Sequence, residues 1–490
     1  MLVLALDVGT SSARAIVFDE RGRPQPDATG HVKYEPRTTA DGGVELDADA
    51  QLDAVAQAID ACLAGCGARA SEIAAVGASV FWHSLLPLDA SGRPLTPVLT
   101  WADTRSAPAA RALREALDAH AVHQRTGAPI HSTFFPAKLR WLREARPDVF
   151  RRAARWCGFA EFLQARLTGA AQSSLSMASG TGLLDQDRGD WDAPLLDAAG
   201  IAAEALPPID DGPRRGLVAP WARRWPALAR VPWYPAHGDG ACSNVGSDCA
   251  GPDRIALNVG TSAALRVVRP ERVGPHPATP AGLWRYRVDG RRAVVGGATS
   301  EGGNVLAWCR KTLVLPADGD EALERALAAG QPDAHDLTAL PFFAGERSPG
   351  WRADARAALV GLSLDSTAAE MTRALLEAVA LRLADIYDRL RPLADTNHLV
   401  VGSGGALAHS PTWAQIIADA LGVPIGLSGE REASARGAAL LTLQALGADI
   451  PPPEDPVRIL RPDPGRHARY REARRRQSRL YDKIVGFPDS

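Results

Sequence analysis

Lysine is almost missing from this chain of 490 residues: only Lys33, Lys138, Lys311 and Lys483 occur. With abundant alanine, arginine and proline, that looks like GC-rich codon usage and carries no functional meaning. Neither sign of charge dominates, since 55 basic residues face 57 acidic ones for a formal net charge of −2. This balance excludes an overall field for nucleic acid or an anionic membrane, so neither partner is expected. Long apolar runs are absent too. The longest near the start is Leu2 to Leu6, and nothing reads as a signal peptide or a membrane span. Cysteine is sparse and scattered, at 62, 66, 157, 242, 249 and 309. Cys62 and Cys66 share an alanine-rich helical pattern, with no second Cys or His pair nearby to close a zinc site. Reduced, mostly buried thiols in a cytoplasmic protein are expected. The length exceeds what one hydrophobic core serves, so two or more domains are expected.

What is present begins with a repeated hairpin. The run Leu2-Val-Leu-Ala-Leu-Asp-Val-Gly-Thr-Ser-Ser-Ala-Arg-Ala-Ile-Val-Phe18 enters a Gly-Thr-Ser turn between two apolar runs, the pattern of a β-hairpin. A similar run returns at Ile255-Ala-Leu-Asn-Val-Gly-Thr-Ser-Ala-Ala-Leu-Arg-Val-Val268, about half a chain later. Glycine lets such a turn bend tightly, and its hydroxyls and backbone N–H groups suit an anion. The reading is two diverged halves, each offering a phosphate-holding turn to a nucleotide between them. Asp7 in the first copy stands where the second has neutral Asn258. A carboxylate beside phosphates repels them unless a cation intervenes, so Asp7 is placed to hold Mg2+ through water.

Several other segments carry chemistry. Asp239 follows a strand pattern and opens Gly240-Ala-Cys-Ser-Asn-Val-Gly246. There it suits either a helix N-cap or a carboxylate that accepts a proton. His398-Leu-Val-Val401 reads as a buried strand, and Gly402-Ser-Gly-Gly405 lets backbone approach a ligand. Ser410 and Pro411 start a helix ending at Gly422, with Trp413, Ile417 and Leu421 as core. Thr367 and Glu370 form a capping box, opening a helix whose stripe runs from Met371 to Leu390. In the first half, Ile73 to Val80 reads as a strand leaving into Phe81-Trp82-His83-Ser84. Val98-Leu99-Thr100 leaves into Trp101-Ala-Asp103-Thr-Arg105. Aromatic rings stack on sugar C–H faces, while Asp, Arg and His bind hydroxyls or a carboxylate. Trp101 also suits simple packing, Arg105 an ion pair, and His83 a satisfied core position. The basic run from Arg466 to Arg479 reads as a solvated last helix.

Taken in order, these segments resemble the FGGY family of carbohydrate kinases, within the actin-like ATPase superfamily, over residues 1 to about 446. Gly302-Gly-Asn-Val-Leu-Ala-Trp308 and Gly345-Glu-Arg-Ser-Pro-Gly-Trp351 belong to the same series. The resemblance implies an α/β fold of two actin-like (ribonuclease H-like) lobes with a cleft between them. An N-terminal lobe over 1–240 would hold the acceptor and the first turn. A C-terminal lobe over 241–450 would hold ATP and the second turn, followed by a tail over 451–490. It implies ATP-dependent phosphorylation with Asp239 as catalytic base, and Asp7 and Asp239 as the Mg2+ side. By the same resemblance, Thr10, Ser11, Ser12, Arg14, Gly260, Thr261, Gly303, Gly404, Gly405 and Ala406 would meet the nucleotide. Trp82, His83, Trp101, Asp103, Arg105 and Asp239 would meet a small sugar or sugar-acid substrate. The asparagine that glycerol kinases carry near His409 is missing. Oligomeric state is not readable, and a homodimer stays open.

The substrate branch is read from finer motifs. Xylulose kinases usually show Gln-Met-His-Gly where this chain has Phe81-Trp-His-Ser84, whose His-Ser is similar to gluconate kinases. Gly260-Thr-Ser-Ala-Ala-Leu-Arg266 and Lys138-Leu-Arg-Trp-Leu142 are similar to that branch too. Against it stands Gly296-Gly-Ala-Thr-Ser-Glu-Gly-Gly303, where gluconate kinases tend to carry asparagines. Glu301 there adds an acidic group near the nucleotide site without a sequence-level reason. D-gluconate is the favoured acceptor and D-xylulose the alternative. An actin- or chaperone-like ATPase without a small-molecule acceptor is the rival from another class. The lobes are expected to approach on binding, with a hinge over Gly246 to Gly251.

Overall fold

Both hairpin patterns fold as hairpins. In the computed structural model, which describes residues 1–315, 319–449 and 451–485, β1 (Leu2–Val8) runs antiparallel to β2 (Ser12–Phe18). β2 in turn pairs antiparallel with β3 (Pro24–Lys33). The chain then crosses over through α1 (Ala48–Cys66), capped by Asp47, to β4 (Ile73–Val80), which lies parallel to β1. Short strands at 214–215, 232–233 and 237–238 complete the sheet on the far side of β4. Near-continuous apolar runs in β1 and β4 fit strands covered on both faces. Residue 450, at the expected boundary before the tail, and the tail's residues 486–490 lie outside the described residues.

After Asp239 the chain forms α2 (Asp239–Gly246) and repeats the plan. β5 (Arg254–Val259) pairs antiparallel with β6 (Ala263–Pro270). The sheet extends through β7 (Trp284–Asp289) and β8 (Arg292–Thr299), with β8 beside β6. α3 (Gly303–Thr312) and α4 (Ala368–Leu390) lead back to β9 (Leu399–Ser403), parallel to β5. α5 (Pro411–Leu421) connects to parallel β10 (Ile425–Leu427). Thr367 and Glu370 form the expected capping box, and Ser410, Pro411 and Gly422 frame α5 as the residues suggest. Leu375, Val379, Leu383, Ile386, Trp413 and Ile417 are buried in the second core.

The two lobes share an interface built on close backbone approach. α6 (Ala433–Ala445) comes late in the chain yet packs on β1 and β4, and Ala438, Leu440 and Leu443 belong to the first core. It crosses α2 so tightly that a Cβ on Gly437 would lie 1.9 Å from the Cys242 carbonyl oxygen. A Cβ on Gly246 would lie 1.8 Å from that of Ala433. Glycine at these two places therefore serves contact. Asp248, two residues on, is tied to Arg436 at 2.9 Å.

A third core, from Leu85 to Leu206, fills the part of the first lobe between β4 and the strand at 237–238. The final helix α7 (Pro464–Ile484) is largely exposed but docks through Tyr470, Ala473 and Gln477. The cysteines are free, and all but Cys66 are buried. Among the described residues no helix is long and apolar enough to cross a membrane.

Candidate active site

Three strand ends bring the acidic residues together. Asp7 on β1 is in register with Ser79 on β4, and Ser79 is in register with His237. Asp239 follows two residues later as the first residue of α2, so Asp7 and Asp239 flank the end of β4. Ligands gather at the carboxyl ends of parallel strands, and this is that edge. Trp82 explains how the Asp239 turn is held. Its ring covers Gly238 and Gly240, where a Cβ would come within 1.8 and 2.5 Å of the indole. Its Nε1 donates to the Ser176 carbonyl at 3.0 Å. Trp82 is thus a buried plate beneath the aspartate's turn, 5% exposed.

Burial raises the Asp239 carboxyl above the usual range, opposed by Arg266 and by the Gly240 N–H, which donates to Oδ1 at 2.8 Å. Burial also pushes Asp7 up to about 6; Arg14 counters it, while the Asp239 and Glu432 charges add to the rise. Arg14 Nη1 donates to Asp7 Oδ2 at 3.3 Å and lies 3.6 Å from Glu432. Asp7 and Glu432 share Arg14, and the Asp239 charge adds to theirs, so this edge carries more negative than positive charge. The carboxylate oxygens of Asp7 and Asp239 are of the kind a hard divalent ion takes. The described residues bring three metal-capable groups together at Asp333, His335 and Glu377 instead. There Arg373 pairs with Glu377 and Arg476 with Asp333, which makes the cluster an ion-pair knot between helices.

The two glycine turns differ in a way their shared Val-Gly-Thr-Ser hides. Gly9 N–H closes on Ser12 O, whereas Gly260 N–H closes on Ser262 O, so the first turn is one residue longer. Thr10 and Ser12 are half-buried and Ser11 exposed. Tyr34 Oη braces this turn by donating to Gly9 O at 2.7 Å. Around the second turn the expected nucleotide segments meet. Gly303 N–H donates to Gly260 O at 2.7 Å and Asn304 N–H to Thr261 O at 3.2 Å. A Cβ on Gly404 would lie 2.4 Å from Val259 O, and one on Gly303 would lie 3.5 Å from the Ala406 Cβ. Gly405 opens a short helix whose His409 bonds back to the Gly405 carbonyl. Glu301, just before these glycines, is buried and accepts the Ala344 N–H at 3.0 Å. Burial pushes its carboxyl up to about 8. It is therefore neutral at pH 7, which removes the charge conflict raised by the sequence.

On the acceptor side the expected residues divide. Asp103 and Arg105 are locked to each other and to Glu45, whose carboxylate is 2.7 Å from Arg105. The Arg105 guanidinium lies over the Trp141 ring. Lys138, below them, is buried and donates to the carbonyls of His83 and Thr100 at 2.6 and 2.7 Å, and burial draws its ammonium down to about 7. Asp103, Arg105 and Lys138 thus fix the two loops that carry His83 and Trp101. His83, at φ 65°, has Nδ1 on the Gly180 carbonyl, so Nδ1 donates and Nε2 is left to accept. Trp101 is half-buried and lies 5.4 Å from the Arg347 guanidinium of the second lobe.

Sequence reasoning left out Arg266, Arg347, Tyr286 and His131 as site residues. Arg266 and Arg347 both act on Asp239. Tyr286 stacks on Trp284 at 4.3 Å and meets the His83 ring at 5.5 Å. The only available signal was that Arg266 ends the Gly260–Arg266 motif and Arg347 lies within Gly345–Trp351.

The N-terminal domain of the FGGY family of carbohydrate kinases matches residues 2–246, and its C-terminal domain matches residues 255–446. A gluconokinase of Bacillus subtilis (strain 168) is 28% identical over 464 residues, covering 91% of this chain and 88% of that one. A glycerol kinase of Aromatoleum aromaticum is 32% identical over 463 residues, covering 91% and 90%. The solved xylulose kinase of Lactobacillus acidophilus superposes with a TM-score of 0.88 at 28% identity, covering 99% and 98%.

Proposed function

Because this chain belongs to the FGGY family of carbohydrate kinases, we propose that it transfers the γ-phosphoryl group of ATP to a hydroxyl of a sugar or sugar acid, most simply D-gluconate to 6-phosphogluconate. The observation that carries the reading is Asp239, a carboxyl raised by burial, set at the lobe junction beside two arginines. Phosphoryl transfer needs an in-line hydroxyl, neutralised phosphates and a proton acceptor. Asp239 takes the hydroxyl proton, and a raised pKa strengthens it as a base near neutral pH. Thr10, Ser11, Ser12 and Arg14 face the phosphates from the first lobe. Gly260, Thr261, Gly303 and the 404–406 turn approach from the second. Mg2+, held by Asp7 and Asp239 through water, would neutralise phosphate charge. His83 and Trp101 line the acceptor side, with Trp82, Asp103 and Arg105 behind them as its frame.

Gluconate is favoured by the His83-Ser84 pair, by similarity to a gluconokinase, and by the positive charge around Asp239. The xylulose kinase likeness keeps D-xylulose as the second reading. Purified enzyme should be assayed for ADP release with gluconate, xylulose, ribulose, glycerol, fuculose, erythritol and no acceptor. Gluconate-dependent release above the other acceptors supports the assignment. Release without an acceptor would return the molecule to the ATPase reading, and a strong preference for xylulose would replace the substrate.

A further inference from the structure

Among the described residues five arginines are buried outright, and each meets a carboxylate. Arg285 and Arg287 share Glu271, Arg373 has Glu377, Arg382 has Glu346 and Arg436 has Asp248. Arg266 and Arg347 break this pattern. Both are half-buried, and among the described residues neither guanidinium makes a hydrogen bond or an ion pair. A half-buried cation with no ion pair of its own is costly to keep, so a site that holds two of them around the one carboxylate of Asp239 has room for a further anion.

The two arginines sit in different places. Arg266 lies against the start of α2, where a Cβ on Gly240 would be 3.1 Å from its Nε, so it belongs with Asp239. Arg347 lies farther toward the first lobe, over Trp101. Its loop is fixed before any ligand arrives. Glu346 pairs with Arg382 and accepts from Tyr481 Oη at 2.6 Å, and Ser348 N–H donates to Ala298 O at 2.9 Å.

Arg347 has a second donor near it. His131 Nδ1 accepts the Thr133 backbone N–H at 3.2 Å and lies 3.0 Å from Thr133 Oγ1, whose own proton goes to the Trp101 carbonyl; in the tautomer that accepts at Nδ1 the proton is on Nε2. That Nε2 is buried and unpartnered. The His131 ring packs 5.2 Å from Trp351, which ends the Arg347 loop. Tyr286 Oη, also buried, lacks a partner too. The acceptor side is thus rich in unused donors and holds two guanidiniums against the single carboxylate of Asp239.

We propose that Arg347, with His131 Nε2, is the carboxylate-reading end of the acceptor site, specifying an open-chain sugar acid over the neutral sugar or polyol of the same length. The proposal rests on the kinase reading above and adds the residues that select the substrate class. In a six-carbon sugar acid the carboxylate and the terminal hydroxyl lie at opposite ends. The hydroxyl would face Asp239 while the carboxylate meets the planar fork of Arg347, a geometry guanidinium and carboxylate share.

The test compares D-gluconate with D-glucitol, which replaces the carboxylate by CH2OH, in wild type, Arg347→Gln and Arg347→Lys. Wild type should prefer gluconate in kcat/KM. Arg347→Gln should lower the gluconate-to-glucitol ratio about 10- to 100-fold, the range expected for one charge-assisted hydrogen-bonded contact. Arg347→Lys, which keeps the charge without the fork, should fall between. A wild type indifferent to the carboxylate, or variants that lose both acceptors equally with a matching rise in the KM for ATP, would overturn the proposal and assign Arg347 to the phosphoryl group. Calorimetric titration of gluconate into ATP-free wild type and each variant measures the carboxylate contact independently of turnover. It decides the point even if no acceptor is phosphorylated, an outcome that would sink the kinase reading alone. Should Arg347→Gln fail to fold, Arg347→Lys and His131→Gln carry the comparison.

Discussion

Replacing Glu301 by glutamine should stabilise the protein, and by more as pH rises. The wild-type carboxyl is 2% exposed, accepts one backbone N–H from Ala344, and is pushed up to about 8 from an ordinary 4.5. Below pH 4.5 the group is protonated in folded and unfolded chains alike and the substitution should matter little. Between 4.5 and 8 the unfolded chain releases the proton while the folded one keeps it, so unfolding becomes easier as pH increases. At about 1.4 kcal/mol per pH unit, the wild-type penalty reaches about 3 kcal/mol at pH 7 and levels off above pH 8. Glutamine keeps the acceptor for the Ala344 N–H and has no proton to lose. Denaturant unfolding of both proteins at half-unit steps from pH 5 to 9 measures the difference directly. It should widen steadily to pH 8 and then flatten. A difference constant across that range would refute the neutral buried carboxyl. A difference of opposite slope would mean that Glu301 is held as an anion, with Arg347 as its counter-ion.

Three further outcomes follow from the site and the lobe interface. Asp239→Asn keeps the shape but cannot take a proton, so kcat should drop roughly 10²–10⁴-fold while calorimetric ATP affinity stays near wild type; retention of more than half the wild-type kcat would remove Asp239 as the base. Asp7→Ala should raise the Mg2+ concentration for half-maximal rate, whereas Asn258→Ala, its counterpart without the carboxylate, should move it far less. An unchanged Mg2+ dependence in the first variant would put the cation elsewhere. Gly437→Ala places a methyl 1.9 Å from the Cys242 carbonyl and should cost about 1–3 kcal/mol in thermal or denaturant unfolding; no loss would mean that the helix pair has room to give.

What the sequence made legible was local. The Gly-Thr-Ser hairpins, the Thr367–Glu370 box and the Ser410-Pro411 start depend on residues within a few positions of one another, so their spacing carries the signal. Of the expected site, the structure brings Asp7 and Asp239 to one strand edge, as their motifs led one to expect. The site was not legible where a side chain's use is settled by a distant partner. Arg105 suited either a sugar or an ion pair, and its partner Glu45 comes from a separate strand that no local pattern shows. Trp82 read as a sugar platform because nothing local shows that its ring covers Gly238 and Gly240. The extra residue in the first turn escaped notice because four identical letters conceal different closures. Arg266, Arg347 and His131 are marked out by the partners their side chains lack in the fold, which no local pattern carries.

The placement of α6 also bears on how the chain is made. The first sheet begins at Leu2, yet its core is closed by Ala438, Leu440 and Leu443, and Thr442 Oγ1 sits where a side chain on Gly77 would go. During synthesis the early half would lack this cover on β1 and β4 until nearly the whole chain has emerged. Cutting the gene between residues 246 and 255, where the two family domains meet, would strand that helix in the wrong half. Separately expressed halves should be insoluble alone and gain structure only when made together.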